Sequence, residues 1–346
     1  MTDVTSSSAW LDPVRVGIVG AGRIGTSHAT LLAHRVPGAR LVGVADPRVD
    51  AAQALAGSLG CRAHDSIDAL LTDPEIEAVV ITASSTAHAM LVTAAARAGK
   101  AVFCEKPMGM SLEEIDQGVA AAEQAGIPLQ VGFNRRFALD FATGHGLVVD
   151  GSLGRPQLLR SLTRDPGLAD PGSVPPWTIF TQTLIHDFDT LLWLNPGAEP
   201  VLVYATADAL VAPDYKQQGL LDTAVVVITF DNGAIAVAEA SFSAAYGYDV
   251  RGEVFGSGGM ATMGDGARSS AVLSNASGRH AETARGDVEL LRDSYVDQLA
   301  EFADAVRGRR TPSVTGADAR RAFRVALAAI RSVETSGPVR VQEVDR

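Results

Sequence analysis

The sequence predicts a two-domain α/β chain, with a parallel sheet covered on both faces followed by an α+β domain built on a large, mainly antiparallel sheet. Three observations carry this. Up to about residue 133, short apolar runs alternate with helix-length amphipathic segments. Beyond about Asn134, several strand-like runs follow one another without helices between them. The length, 346 residues, suits two domains of ordinary size.

In the first part, residues 14–19 read as a strand, 24–35 as a helix and 41–45 as a second strand. Residues 51–59 and 67–71 are helical, and 78–82 (AVVIT) and 101–104 (AVFC) are further strands separated by an Ala-rich helix over 88–98. Ser111 and Glu114 have capping-box spacing and open a helix that ends near Gly126. Residues 129–133 close the series. Strands alternating with helices of this length imply right-handed βαβ units. The first domain is therefore set at 13–133 and the second at 134–341.

The second part begins with a helical stretch over 135–149 and a Pro-, Gly- and Asp-rich loop over 165–176, which leads into a helix over 179–194. Strands follow at 201–207, 223–230 and 234–242, the last two joined by the hairpin turn Asp231-Asn232-Gly233. Strand-like pieces run through 251–263 and 270–274, and helices over 294–307 and 318–333 finish the chain. Successive strands of this kind suggest an antiparallel sheet with helices on one face.

Asp and Glu number 40 against 29 Lys and Arg, a net charge of −11, which argues against nucleic acid or an anionic membrane as the main partner. Cys61 and Cys104 form no CxxC or Cys/His cluster, so neither a disulfide scaffold nor a metal site is expected. The N-terminus has no basic segment followed by an apolar one, and the uncharged stretch 78–96 is broken by polar residues. A cytoplasmic protein with no membrane partner is the expectation. The 34 glycines mark many tight turns or close approaches.

Gly20-Ala21-Gly22-Arg23-Ile24-Gly25 follows the first strand and opens the first helix. The first Gly allows the turn, the second lets backbone approach a pyrophosphate, the third permits close helix–strand packing, and the helix N-terminus faces the anion. Asp46 ends the second strand, 21 residues after Gly25. Its carboxylate can accept from an adenosine ribose diol and would repel a 2′-phosphate, which favours NAD, while Arg48 leaves NADP open. Cys104-Glu105-Lys106-Pro107 stands at the carboxyl end of its strand, where open parallel sheets bind ligands. A partly desolvated lysine there would have a lowered pKa and could hydrogen-bond a reacting hydroxyl. A surface lysine before a Pro turn is the plainer alternative.

GAGRIG, Asp46, His88, FCEKP and GFNRRF (132–137) occur in that order, and together they resemble the glucose–fructose oxidoreductase/inositol dehydrogenase (Gfo/Idh/MocA) family. The segment Ile185-His186-Asp187-Phe188-Asp189, the run Tyr246-Gly247-Tyr248-Asp249 and EVFGSGGM (253–260) look like its inositol 2-dehydrogenase branch. The resemblance implies a Rossmann domain followed by a domain whose open sheet mediates oligomerisation, so a homo-oligomer, dimer or homotetramer, is expected. It also implies that Lys106 is the active-site lysine and His186 the general acid/base. Arg136 and Asp165 match polyol-pocket positions; Tyr248 is a weaker match, with Tyr246 as its rival. Gly20, Gly22, Arg23, Ile24, Gly25, Asp46, Arg48, Ser84, His88, Glu105 and Lys106 make up the expected cofactor site, with NAD as the cofactor.

One position departs from the branch. Inositol dehydrogenases usually carry Asp four residues before the catalytic His, and this chain has Gln182. On a helix both residues would share a face and look into the pocket. Gln is neutral and offers donor and acceptor groups, which points to an altered pocket. The expected activity is reversible NAD-dependent oxidation of a ring hydroxyl of a cyclitol or sugar. A different pyranose is one alternative, and a non-catalytic NAD-sensing regulator is an alternative of another class.

Other residues have plainer readings. Asp187 and Asp189 could orient His186, but a helix-surface charge or a helix–loop hydrogen bond is the plainer reading. His88 could meet the cofactor or pack. His28, His34, His64, His145 and His280 are expected to be solvated, Trp177 is a lid or a loop anchor, and Cys104 is strand core.

Overall fold

The computed structural model describes residues 12–264 and 267–345. Residues 1–11, most of the stretch on which the reading of the N-terminus rests, lie outside them.

The first sheet is built from β1 (Val14–Val19), β2 (Ala39–Ala45), β3 (Arg62–Ala63), β4 (Ala78–Ile81), β5 (Ala101–Cys104) and β6 (Leu129–Val131). All its pairings are parallel, in the order β3-β2-β1-β4-β5-β6. Every residue of β4 and β5 is buried, as the uninterrupted apolar runs AVVI and AVFC require of strands covered on both faces. The covering helices are α1 (Arg23–His34), α2 (Val49–Leu59), α3 (Ile67–Thr72), α4 (His88–Arg97) and α5 (Leu112–Ala125). Ser111 Oγ accepts from the Glu114 amide at 3.1 Å and starts α5; Gly126, at φ +65°, ends it in the left-handed conformation. The strand order reverses between β1 and β4, and a crevice opens there outside the carboxyl ends.

A 3₁₀ turn, Asn134–Phe137, follows β6 and leads into α6 (Leu139–Val149). The helix expected from residue 135 therefore starts later. The next element, β7 (Pro156–Arg164), is a strand that sequence reading did not anticipate. After it come α7 (Leu184–Trp193), β8 (Pro200–Asp208), β9 (Thr223–Phe230), β10 (Ile235–Ser241), β11 (Asp249–Gly256), β12 (Met260–Met263), and the separate hairpin β13 (Ala267–Asn275) and β14 (Gly278–Thr283). The chain closes with α8 (Asp287–Leu290), α9 (Arg292–Gly308), α10 (Gly316–Thr335) and β15 (Val339–Arg340).

The second sheet runs β12-β11-β7-β10-β9-β8-β15. It is antiparallel except where β7 lies parallel to β10. Residues 251–263, expected as one strand-like stretch, are the two strands β11 and β12 folded on each other. Burial alternates along β9 and β10, because α7 and α10 cover one face only. On the other face Leu158, Tyr204, Val225, Ile235 and Phe255 are exposed. α9 returns to the first sheet and buries Leu299 and Phe302 with Val16, Ile18 and Phe103, so the packing does not divide at a single point in the sequence. Among the described residues no helix is long and apolar enough to cross a membrane.

Candidate active site

A cavity of about 780 Å³ lies between the two sheets, at the carboxyl ends of β1, β4, β5 and β6. Gly22, Arg23 and Ile24 form one end. Gly20 has φ +109°, and a Cβ there would meet the Thr82 and Ala83 backbone at 2.8 Å. A Cβ on Gly25 would collide with the Gly20 carbonyl and come 2.7 Å from Thr82 Oγ1. At Gly22 it would meet nothing within 4 Å. Two glycines are thus fixed by packing, while the third leaves open space beside the first turn of α1, whose free N–H groups suit a pyrophosphate.

Asp46 ends β2. Its carboxylate accepts from the Ala21 amide at 2.7 Å and the Arg48 amide at 2.8 Å, and the Arg48 guanidinium stands 3.4 Å away. Burial works against its charge, but these donors prevail and hold its pKa below the usual carboxylate value. A fixed anion beside the glycine turn is the arrangement a ribose diol needs. The residues present therefore fit a dinucleotide.

Two of the expected cofactor residues are placed as follows. Ser84 is exposed, and its neighbours Ala83 and Ser85 line the cavity instead, because the chain turns into a 3₁₀ segment there. His88 lies in the cavity wall, its Nδ1 2.7 Å from the Pro107 carbonyl and its Nε2 3.0 Å from the Ala83 carbonyl, of which a neutral ring donates to only one. Glu105 lines the cavity while its carboxylate bonds His28 Nε2 at 2.7 Å and accepts from the Lys106 amide at 3.2 Å. Burial raises the Glu105 pKa, yet His28 and the Lys106 charge outweigh it and the net shift is downward.

Lys106 follows β5, and its Nζ donates to the Gln182 main-chain carbonyl at 2.9 Å. Burial lowers its pKa; Glu105, Asp287 and Asp165 oppose this without cancelling it. Across the cavity, His186 projects from α7, with its ring edge-on to Phe133 at 6.1 Å. Burial, then the positive charges of Lys106 and Arg135, push its pKa well below 6.5. Its Nδ1 is buried without a hydrogen-bond partner.

The helix expected over 179–194 is not uniform. Residues Ile179–Thr183 form a π-turn before α7, a feature frequent at functional sites. Gln182 and His186 both line the cavity. Asp165 and Tyr248 line it too. Burial raises the Asp165 pKa against the hydrogen bond from Tyr248 and the Lys106 charge. Tyr246 is turned away, with its hydroxyl on Asp249 at 2.7 Å.

Arg136 is not among the residues that line the cavity. Its guanidinium bonds Asp189 at 2.9 Å and Asp318 at 3.0 Å behind the site, and Arg135 lines the cavity instead. Successive residues of a 3₁₀ turn point about 120° apart, so two adjacent arginines cannot share one destination. Arg135 bonds Asp187 at 2.7 Å and also Thr163, while Ser161 and Thr163 donate to the same carboxylate at 2.6 and 2.7 Å. Asp187 and Asp189 are therefore buried ion-pair partners and not helix-surface charges.

His28 and His64 are buried, the latter 3.0 Å from Asp73, so these two are not solvated, while His145 is half-buried and stacks on Trp193 at 3.9 Å. His34 and His280 are exposed. Trp177 packs on Phe180 outside the cavity wall, and Cys104 is fully buried. Sequence reading missed Asn134, whose Oδ1 is buried without a partner, and Asp287, which pairs with Arg23 at 2.8 Å across the cleft. A contact spanning 264 residues leaves no local pattern.

A glycine turn with an anchored carboxylate on one wall, and a buried lysine facing a neutral imidazole on the other, define an NAD-binding oxidoreductase. Residues 14–133 match the oxidoreductase family with an NAD-binding Rossmann fold, and residues 141–262 match the GFO/IDH/MocA C-terminal domain. The chain belongs to the Gfo/Idh/MocA family. It is 36% identical over 340 residues to a myo-inositol 2-dehydrogenase of Thermotoga maritima, covering 96% of this chain and 99% of the relative. It is 35% identical over 332 residues to a scyllo-inositol 2-dehydrogenase (NAD(+)) of Bacillus subtilis, covering 95% and 96%. A solved scyllo-inositol dehydrogenase of Lactobacillus casei with bound NAD(H) and scyllo-inositol superposes with a TM-score of 0.91 at 26% identity, covering 95% of this chain and 99% of that one.

Proposed function

We propose that this protein is an NAD-dependent dehydrogenase that reversibly oxidises a secondary ring hydroxyl of a cyclitol of the inositol type to the ketone. The observation that carries this is the convergence of Lys106 and His186 on one cavity with the glycine turn, in a chain similar over nearly its whole length to inositol 2-dehydrogenases.

Gly20, Gly22 and Gly25 with the start of α1 would hold the pyrophosphate, and Asp46 the adenosine ribose. When bound, NAD supplies the acceptor for the hydrogen and electron pair that leave the substrate carbon. The Lys106 ammonium polarises the reacting hydroxyl. His186, neutral because it is buried beside two cations, takes the hydroxyl proton on Nε2, the ring nitrogen not enclosed by protein. Asp165 and Tyr248, with Arg135 in place of Arg136, orient the remaining hydroxyls.

Gln182 supports a second reading of substrate choice, in which a different cyclitol or a pyranose is preferred, because an amide cannot replace a carboxylate as a pure acceptor. NADH formation measured against a panel of inositol isomers and pyranoses tests both readings. Tight NAD binding with no turnover of any polyol or sugar overturns them and leaves the sensing protein. The apolar residues on the outer face of the second sheet support a homo-oligomer assembled through that face, and light scattering checks whether it is the expected homotetramer.

A further inference from the structure

His88 stands where two loops meet. It opens α4, and its side chain is almost fully buried. Its Nδ1 faces the Pro107 carbonyl at 2.7 Å and its Nε2 the Ala83 carbonyl at 3.0 Å. Those carbonyls belong to the loops after β5 and β4, which supply Lys106, Glu105, Thr82, Ala83 and Ser85 to the cavity. A neutral ring donates to only one of these acceptors, and the shorter contact makes that Nδ1–H to Pro107; Nε2 is faced by the Ala83 carbonyl, so neither nitrogen is turned to a cofactor.

The turn that carries Lys106 is held at each residue. The Glu105 amide donates to the Ile81 carbonyl at 2.9 Å, the Lys106 amide to the Glu105 carboxylate at 3.2 Å, and the Pro107 carbonyl is held by His88. The first two contacts fix the turn at its strand end; the third fixes it beyond the lysine. Without it the chain after Lys106 has a buried carbonyl with no ring partner and freedom to shift. A misplacement of about 1 Å can cost on the order of 10²-fold in rate.

We propose that His88 is a positioning residue, which ties the loop after β4 to the loop after β5 and so aims the Lys106 ammonium at the reacting hydroxyl. This rests on the reading of Lys106 as the polarising group. The charged or titratable groups that face Lys106 are Glu105, Asp287, Asp165, Arg135 and His186, and a loosened ammonium would meet water in place of their enclosure.

The test measures the NADH dissociation constant by fluorescence titration, together with kcat and the pH profile of kcat/KM, for Lys106→Ala, His88→Ala, His88→Asn and His88→Gln. In His88→Ala and His88→Gln, kcat is expected to fall at least tenfold while the NADH dissociation constant changes less than threefold. The alkaline limb moves upward as Lys106 becomes solvated. His88→Asn, whose amide N–H stands at the place of Nδ1 and still reaches the Pro107 carbonyl, recovers part of kcat. Tenfold weaker NADH binding with kcat retained overturns the proposal in favour of a cofactor contact. An unchanged kcat and alkaline limb overturn it in favour of packing alone. His88→Gln decides the matter should the alanine variant not fold. Should Lys106→Ala turn over normally, the lysine reading itself fails; an inactive Lys106→Ala beside a fully active His88→Ala sinks only the positioning role.

Discussion

The Lys106 ammonium donates to the main-chain carbonyl of Gln182 at 2.9 Å, so the residue that departs from the inositol dehydrogenase pattern holds the active-site lysine through an atom its side chain does not change. The π-turn at Ile179–Thr183 presents that carbonyl while leaving the Gln182 side chain in the cavity. Substitution at this position therefore separates substrate recognition from lysine placement.

Gln182→Asp should accordingly alter substrate preference without disabling the enzyme. The new carboxylate would favour protonated His186 and raise its pKa, which moves the acid limb of the kcat/KM profile upward. A change of at least roughly tenfold in the ratio of kcat/KM between myo-inositol and the best alternative substrate is expected, in line with hydrogen-bonded hydroxyl recognition. A wild type that already prefers myo-inositol, together with a variant that gains nothing, rules out Gln182 as a specificity device.

The wild-type pH profile follows from the two buried bases. His186 must be neutral to accept a proton, and burial with Lys106 and Arg135 lowers its pKa well below 6.5. Oxidation should therefore persist at pH values where an exposed histidine is protonated, and be lost only as pH falls through the lowered pKa. Lys106 must keep its proton, and its own pKa lies below 10.5, so activity declines on the alkaline side before that value. An acid limb at or above 6.5, measured on kcat/KM, contradicts the assignment of His186 as the base.

Asp46 should govern cofactor choice. Asp46→Ser removes the charge that would repel a 2′-phosphate and the acceptor for the Ala21 and Arg48 amides. The expected result is weaker NADH binding and a preference over NADPH reduced by about 10²-fold, roughly the value of two charge-assisted hydrogen bonds. Calorimetric titration with both reduced cofactors checks it.

The Arg135–Asp187 pair should be a stability determinant, unlike the surface pairs. Both side chains are almost fully buried, and Arg135→Met leaves the Asp187 carboxylate without its cation, a loss of about 3–5 kcal/mol for pairs of this kind. Arg15→Ala, which breaks an exposed pair with Glu77, should cost about 0–1 kcal/mol. Urea denaturation of the two variants gives the comparison, and equal midpoints would falsify it.

The first sheet and the cofactor end of the site were legible because both rest on local rules. Buried parallel strands must be continuously apolar, and the glycine turn needs its residues in a fixed spacing. β7 was not legible, since Arg160, Ser161, Thr163 and Arg164 interrupt it. Those residues are accommodated by partners elsewhere, Asp187 for Ser161 and Thr163 and Glu239 for the arginines, so their polarity hides a central strand. The two arginines of GFNRRF illustrate a different limit. The motif locates the segment, but only the 3₁₀ turn decides which guanidinium reaches the cavity. Asp287 carries no motif, and its place opposite Arg23 comes from the way the two sheets meet.

The return of α9 to the first sheet has a consequence for how the chain is made. Tyr295, Leu299, Phe302 and Ala303 complete a core otherwise formed by residues 14–103, so a ribosome that has finished β5 must synthesise roughly two hundred further residues before that core closes. During this interval β1, β2 and β5 lack one of their covering helices. The covering of the first sheet is thus completed only by a helix made near the end of synthesis.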